Sequence, residues 1–150
     1  MTSESKFESR RRARRRALQA LYQWHLTGQD ASQILIQFHE EQDFSNVDDE
    51  LFTRLVNRIC AGQKDIDEKI TPFLDRPLSQ LDVIEHVILS IGAYELLHTI
   101  EVPHQVVIDE AVNLAKQFGA EQGHSYINGV LDKAAQQWRD PATLSPLNPT

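Results

Sequence analysis

An all-α fold is predicted by three features of this 150-residue chain. Apolar residues recur at helical spacing in seven separate segments. No stretch alternates apolar and polar residues as a strand would, and the one Asn-Gly pair, Asn128-Gly129, sits inside a helical period instead of between strands. Breakers fall between the segments, at Gly28, Gly62, Pro77, Pro103 and Gly119. A chain of this length can bury about 68–70% of the surface exposed on unfolding, enough for a core without metal or disulfide staples. It suits one domain, or two small lobes sharing a core.

Met1 to Lys6 carry no pattern and are expected to form a tail. From Phe7 to about Leu26, residues Ala13, Ala17, Ala20, Leu21 and Trp24 gather on one helical face, and Gly28 ends the run. Asp30 and Gln33 resemble a capping box for a short helix bearing Ile34, Leu35 and Phe38. Glu40 to Glu50 then holds six carboxylates and reads as a solvated loop, or as one that repels nucleic acid. Leu51, Leu55, Val56 and Ile59 define a third helix, broken at Gly62. Ile66, Ile70, Phe73 and Leu74 define a fourth, weakened at its end by Thr71-Pro72.

The loop Asp75-Arg76-Pro77-Leu78 is the expected boundary between halves. Ser79 and Asp82 supply a capping pattern for a helix from Gln80 to about His98, apolar all round and therefore central and buried. Pro103 opens a sixth helix closed by Gly119, and a seventh runs from about Gly123 to Trp138. Within it Gly129 costs about 1 kcal/mol against alanine, for which close backbone packing is the expected compensation. Asp140 to Thr150, with three prolines, is expected to be a tail.

The charge is distributed unevenly. The net charge is -7, yet six of the fifteen basic residues lie in the seven positions Arg10 to Arg16. Counting Lys6 and these arginines against Glu4 and Glu8, the first sixteen residues carry +5 and the other 134 carry -12. A cationic arm on an acidic body points to a polyanion, most often nucleic acid. Guanidinium groups bind phosphates bidentately and stay charged. On the helical wheel Tyr22 falls near Arg11 and Arg15, so it is a candidate stacking surface beside them. Arg10 and Arg14 fall near Leu21, whereas Arg12 and Arg16 lie on the far side, an arrangement that requires the first turns to project beyond the core.

Catalytic chemistry finds no foothold. The six histidines never fall four residues apart and Cys60 is alone, so neither a metal site nor an internal disulfide is expected. There is no glycine-rich phosphate loop and no nucleophile elbow, so no catalytic residue and no cofactor are assigned. The most apolar segment, Leu81 to Leu97, is interrupted by Asp82, Glu85 and Glu95 and cannot span a bilayer cheaply. Without a visible signal peptide, the expected setting is the cytoplasm.

Several stretches resemble the NusB family of bacterial transcription antitermination factors. They are the arginine-rich start with Ala17-Leu18-Gln19-Ala20-Leu21-Tyr22-Gln23-Trp24, then Ile88-Leu89, Tyr94-Glu95-Leu96, Val102-Pro103, Glu110-Ala111-Val112 with Leu114-Ala115-Lys116 and Phe118-Gly119, and finally Tyr126-Ile127-Asn128-Gly129-Val130-Leu131-Asp132. The resemblance implies two small packed helical bundles within one domain, an N-terminal bundle at about 7–74 and a C-terminal one at about 79–139. It also implies a non-enzymatic adaptor that binds boxA-type single-stranded RNA together with the ribosomal protein NusE, and acts on ribosomal RNA operons with the elongation complex and other Nus factors. Carried onto this sequence, the RNA surface comprises Arg10, Arg11, Arg12, Arg14, Arg15, Tyr22 and Tyr126, and the partner surface Phe73, Arg76 and Glu85. Tyr126 stands where the family usually has phenylalanine, Ser125 where many members have a basic residue, and Ser90 where an arginine is frequent.

Two other functions compete with this one. A protein-only scaffold would pair its arginines with an acidic partner or with its own 40–50 segment. A recognition lobe of an RNA-modifying enzyme would need a Rossmann-type domain with a glycine-rich loop, which these 150 residues lack. The large apolar helices also permit a homodimer that hides the RNA surface.

Overall fold

The computed structural model describes residues 3–119 and 122–139, with side chains from Ser5 onward. The expected tail at 140–150 lies outside the described residues, as do Met1 and Thr2. Six α-helices and two single 3-10 turns make up the described chain, with no strand among these residues. The all-α expectation therefore holds, with one helix fewer than the seven expected.

Helix α1 runs from Ser3 to Thr27, starting before the expected Phe7. Local contacts carry it through that stretch: Arg11 lies 5.1 Å over the Phe7 ring and 3.9 Å from Glu8. It ends where Gly28 adopts φ +71°, a conformation open to glycine, and donates its N–H to the Trp24 carbonyl at 3.0 Å. Helix α2 spans Ala31–Glu41. Asp30 stands at its N-cap, but its side chain makes no capping bond, so the expected capping box does not form.

Helix α3, Asp49–Ile70, unites the expected third and fourth helices. Gly62 kinks it, with φ -114° and ψ 18°, and does not end it. Asp48 caps its start by accepting the Leu51 N–H at 3.0 Å, with Asp49 and Glu50 in the first turn. A 3-10 turn at Thr71–Phe73 follows, as the proline at 72 requires.

The chain divides into two compact units, the first ending at Gln63 and the second beginning at Lys64, just beyond the kink. The expected boundary lay later, at Asp75–Leu78. Residues before that loop join the second unit because Asp67 bonds His86 at 2.7 Å and Phe73 packs edge-on against Trp138 at 5.6 Å.

In the first unit the buried residues include Ala13, Ala17, Leu18 and Leu21 of α1, Ile34 and Phe38 of α2, and Phe52, Leu55 and Ile59 of α3. Phe52 receives Phe38 at 6.0 Å and Phe44 at 4.9 Å between ring centroids.

The second unit is built on α4, Val83–His98, which packs against α5, His104–Phe118, and α6, Gly123–Trp138. Helix α4 begins three residues after the expected Gln80 because Leu78–Gln80 form a separate 3-10 turn. Its cap is Asp82, which accepts the Glu85 N–H at 2.7 Å; Ser79 lies within that turn. Ten consecutive residues, Val87 to Leu96, are buried, as expected of a central helix. Ser90 satisfies its hydroxyl on the His86 carbonyl, 2.8 Å away in its own helix.

The tight helix contact lies at Gly92, where an added Cβ would come within 2.7 Å of Leu131. Gly129, expected to provide close packing, is exposed and has no atom within 4 Å of where its Cβ would stand. Beyond α6, Arg139 is only 6% exposed and donates to the carbonyls of Leu96, Val102, Glu95 and Thr99 at 2.8, 3.0, 3.2 and 3.4 Å. One guanidinium thus gathers carbonyls at the end of α4 and in the turn after it, those of Glu95 and Thr99 also accepting the N–H groups of Thr99 and Val102 at 3.0 Å.

Candidate nucleic-acid interface

The arginine stretch lies on α1, and the structure sorts its members by what they touch. Arg14 is 3% exposed, on the apolar side where the wheel placed it beside Leu21. The first turns do not project bare from the core, because the acidic segment before α3 folds back over them. The Asp48 N–H bonds the Ser9 carbonyl at 3.0 Å, and Asp48 lies 3.8 Å from Arg10. Arg12 donates to the Asn46 carbonyl at 3.3 Å and Arg16 to the Asp43 carbonyl at 3.1 Å. Arg16 also lies 5.3 Å over the Phe44 ring.

The segment is largely exposed, as expected of a solvated loop, but it is not a screen held away from the arginines. It is a strap anchored by Phe44 between His39 and Phe52 and held by three guanidinium groups. Asp43 keeps a low pKa, first because its carboxylate accepts the Ser45 N–H at 2.9 Å, with Arg16 contributing last. A groove of about 940 Å³ opens between the strap and the first turns of α1, lined by Lys6, Ser9, Arg12, Asn46 and Asp48 among others.

What α1 leaves open is a stripe opposite its buried face. Arg11, Arg15, Gln19 and Tyr22 lie within about 80° of each other on the wheel. Arg11 is 37% exposed along its side chain and Tyr22 is 37% exposed. Arg15 Nε is enclosed with no hydrogen-bond acceptor among the described residues. A planar cation, a second cation and an aromatic face thus share one side of a helix, the combination that grips phosphates and stacks bases.

The second unit holds the remaining candidates. Tyr126, on the first turn of α6, is half-buried, and the Arg76 guanidinium lies 4.3 Å over its ring. Arg76 is fixed from the side by Asp75, whose Oδ1 accepts its Nε–H at 2.9 Å. That bond holds the Asp75 carboxyl below its usual range, and burial, reinforced by Asp75, raises the Tyr126 phenol. Glu85 has a raised pKa, first from burial and then from Asp82, with Arg76 opposing. The structure thus joins Arg76 to Tyr126, which the sequence had assigned to different surfaces. Phe73 packs on Trp138. The strap contacts and the Arg139 cap were missed, since neither leaves a local motif. Among the described residues no cluster could hold a metal ion, and no helix is long and apolar enough to cross a membrane.

A helical protein with a cationic, aromatic-bearing helix on an acidic body has the charge pattern of the nucleic-acid-binding class. Comparison narrows the class. A model of the NusB family matches residues 11–136. The transcription antitermination protein NusB of Xanthomonas axonopodis pv. citri (strain 306) is 48% identical over 130 residues, covering 87% of this chain and 82% of that protein. That of Xanthomonas euvesicatoria pv. vesicatoria (strain 85-10) is also 48% identical, over 87% and 80%. A solved structure of T. maritima NusB superposes with a TM-score of 0.76 at 28% identity, covering 89% of this chain and 94% of that one. The chain belongs to the NusB family.

Proposed function

We propose that this chain serves transcription antitermination, the activity for which its relatives are named, as a non-enzymatic adaptor that binds boxA-type single-stranded RNA together with the ribosomal protein NusE. The observation that carries the reading is the open stripe of α1. Arg11, whose partners Phe7 and Glu8 lie in its own helix, and Arg15 stand on one side with Tyr22, whereas Arg10, Arg12 and Arg16 are held by the strap. The acidic body repels RNA elsewhere and orients it to that stripe. Tyr126 extends the reading to the second unit, and Phe73 and Glu85 supply the partner surface, with Arg76 at its border. The adaptor works in the cytoplasm with the elongation complex and other Nus factors.

Fluorescence anisotropy with a boxA oligonucleotide and a scrambled control, with and without NusE, tests the reading. Discrimination between the two RNAs should emerge when both proteins are present, since phosphate contacts alone carry no sequence information. Replacing both Arg11 and Arg15 by glutamine should weaken RNA binding at least tenfold. Unchanged affinity would remove α1 from the RNA surface and favour the protein-only scaffold, which the arginine–strap contacts also suit.

A further inference from the structure

We infer that Asp75, Arg76 and Tyr126 form a preassembled receptor for one phosphodiester group of single-stranded RNA, with Arg76 as its direct phosphate contact. Three observations meet at this residue. The face of the guanidinium is supported by the Tyr126 ring at 4.3 Å. Its Nε edge is occupied by Asp75 at 2.9 Å. Its two Nη groups make no hydrogen bond to the described residues, and the side chain is 41% exposed. A planar fork held on its face and on one edge presents the remaining edge in a fixed direction, the geometry that matches two phosphate oxygens.

The arrangement also decides what Tyr126 can do. One face of its ring is covered by the guanidinium, so the nucleotide meets Arg76 there before it meets the ring. Burial of the ring and the neighbouring Asp75 keep the platform stationary, and that restraint removes the rotamer entropy a free arginine loses on binding. Asp75 fixes Arg76 at the cost of partly neutralising it, so the receptor accepts a phosphodiester and does not act as a broad cationic patch.

This inference rests on the RNA reading of the protein, and its test separates the two. RNA binding is measured by fluorescence anisotropy across a salt series for the whole chain and for Arg76→Gln, Tyr126→Phe, Tyr126→Ala, the double variant Arg11→Gln with Arg15→Gln, and the charge control Arg58→Gln. Arg76→Gln is expected to weaken binding about fivefold and to reduce the salt slope by about 0.7, the release of one phosphate's counterions. Tyr126→Phe should keep both values, Tyr126→Ala should reproduce the Arg76→Gln loss, and combining Arg76→Gln with Tyr126→Ala should add little. Arg58→Gln should leave the slope unchanged. Circular dichroism confirms that each variant retains its helices.

If Arg76→Gln leaves affinity and slope unchanged while the α1 double variant weakens binding, the receptor is refuted and the RNA reading stands. If neither changes binding, the RNA reading itself falls. Tighter binding by Arg76→Gln would make the arginine a cover on the ring, and a loss seen only in the presence of NusE would make it a protein contact; either overturns the inference.

Discussion

At the residue scale, two glycines on neighbouring helices predict opposite responses to the same substitution. Gly129 stands in α6 with open space around it, so Gly129→Ala should raise stability by about 0.5–1 kcal/mol, read as a shift in the urea midpoint with an unchanged slope. A Cβ added at Gly92 would come within 2.7 Å of the fully buried Leu131, and Gly92→Ala should lower stability by about 1 kcal/mol, the overpacking strain exceeding the helix gain. The sequence showed both residues inside helical periods and could not tell them apart, because the difference lies in what another helix brings alongside. Cys60 lies in α3 and is half-buried. Burial raises its thiol to about 11, so alkylation by iodoacetamide at pH 8 should be far slower than for a free cysteine. The arginines were legible as a cationic group but not as individuals. Separating Arg11 and Arg15 from Arg10, Arg12 and Arg16 needed the carbonyls of Asp43 and Asn46, which lie some thirty residues further along the chain.

At the scale of elements, helix existence followed from periodicity and helix ends did not. The amphipathic spacing within α3 was read correctly on both sides of Gly62, but a glycine can kink a helix as well as end it. Asp82 and Ser79 both suit a cap, and only backbone geometry selects Asp82, whose carboxylate meets the Glu85 N–H. The end of α4 was the least legible, because its cap comes from Arg139, forty-three residues beyond Leu96. Arg139→Ala would take from the Leu96 and Val102 carbonyls the donor they have and should cost about 3 kcal/mol in urea unfolding. Arg139→Lys should recover little of it, since one ammonium cannot reproduce the fork that spans Leu96, Val102, Glu95 and Thr99. By contrast, the contacts that hold the strap are exposed, so Arg12→Gln should cost no more than about 1 kcal/mol while increasing amide exchange across residues 43–48.

At the scale of the whole molecule, a net charge of -7 coexists with a strongly basic helix, and on the RNA reading proposed above the two should make binding strongly dependent on salt. If four phosphates are engaged, the logarithm of the RNA affinity should fall with the logarithm of salt at a slope of about -3, measurable by the same anisotropy titration. This much was readable from composition, since charge asymmetry needs no fold to be visible. The strap adds something that composition could not supply. Six arginines in seven positions would repel one another and leave an isolated helix frayed, awaiting its ligand before ordering. Here Asp48 and the carbonyls of Asp43 and Asn46 stand where a ligand's oxygens otherwise would, so the basic helix is already wound in the free protein. On the RNA reading proposed above, the ligand would meet a rigid surface and not a folding reaction: far-ultraviolet helicity should stay constant on binding, the heat-capacity change should be small, and association should be limited by encounter and not by ordering of the protein.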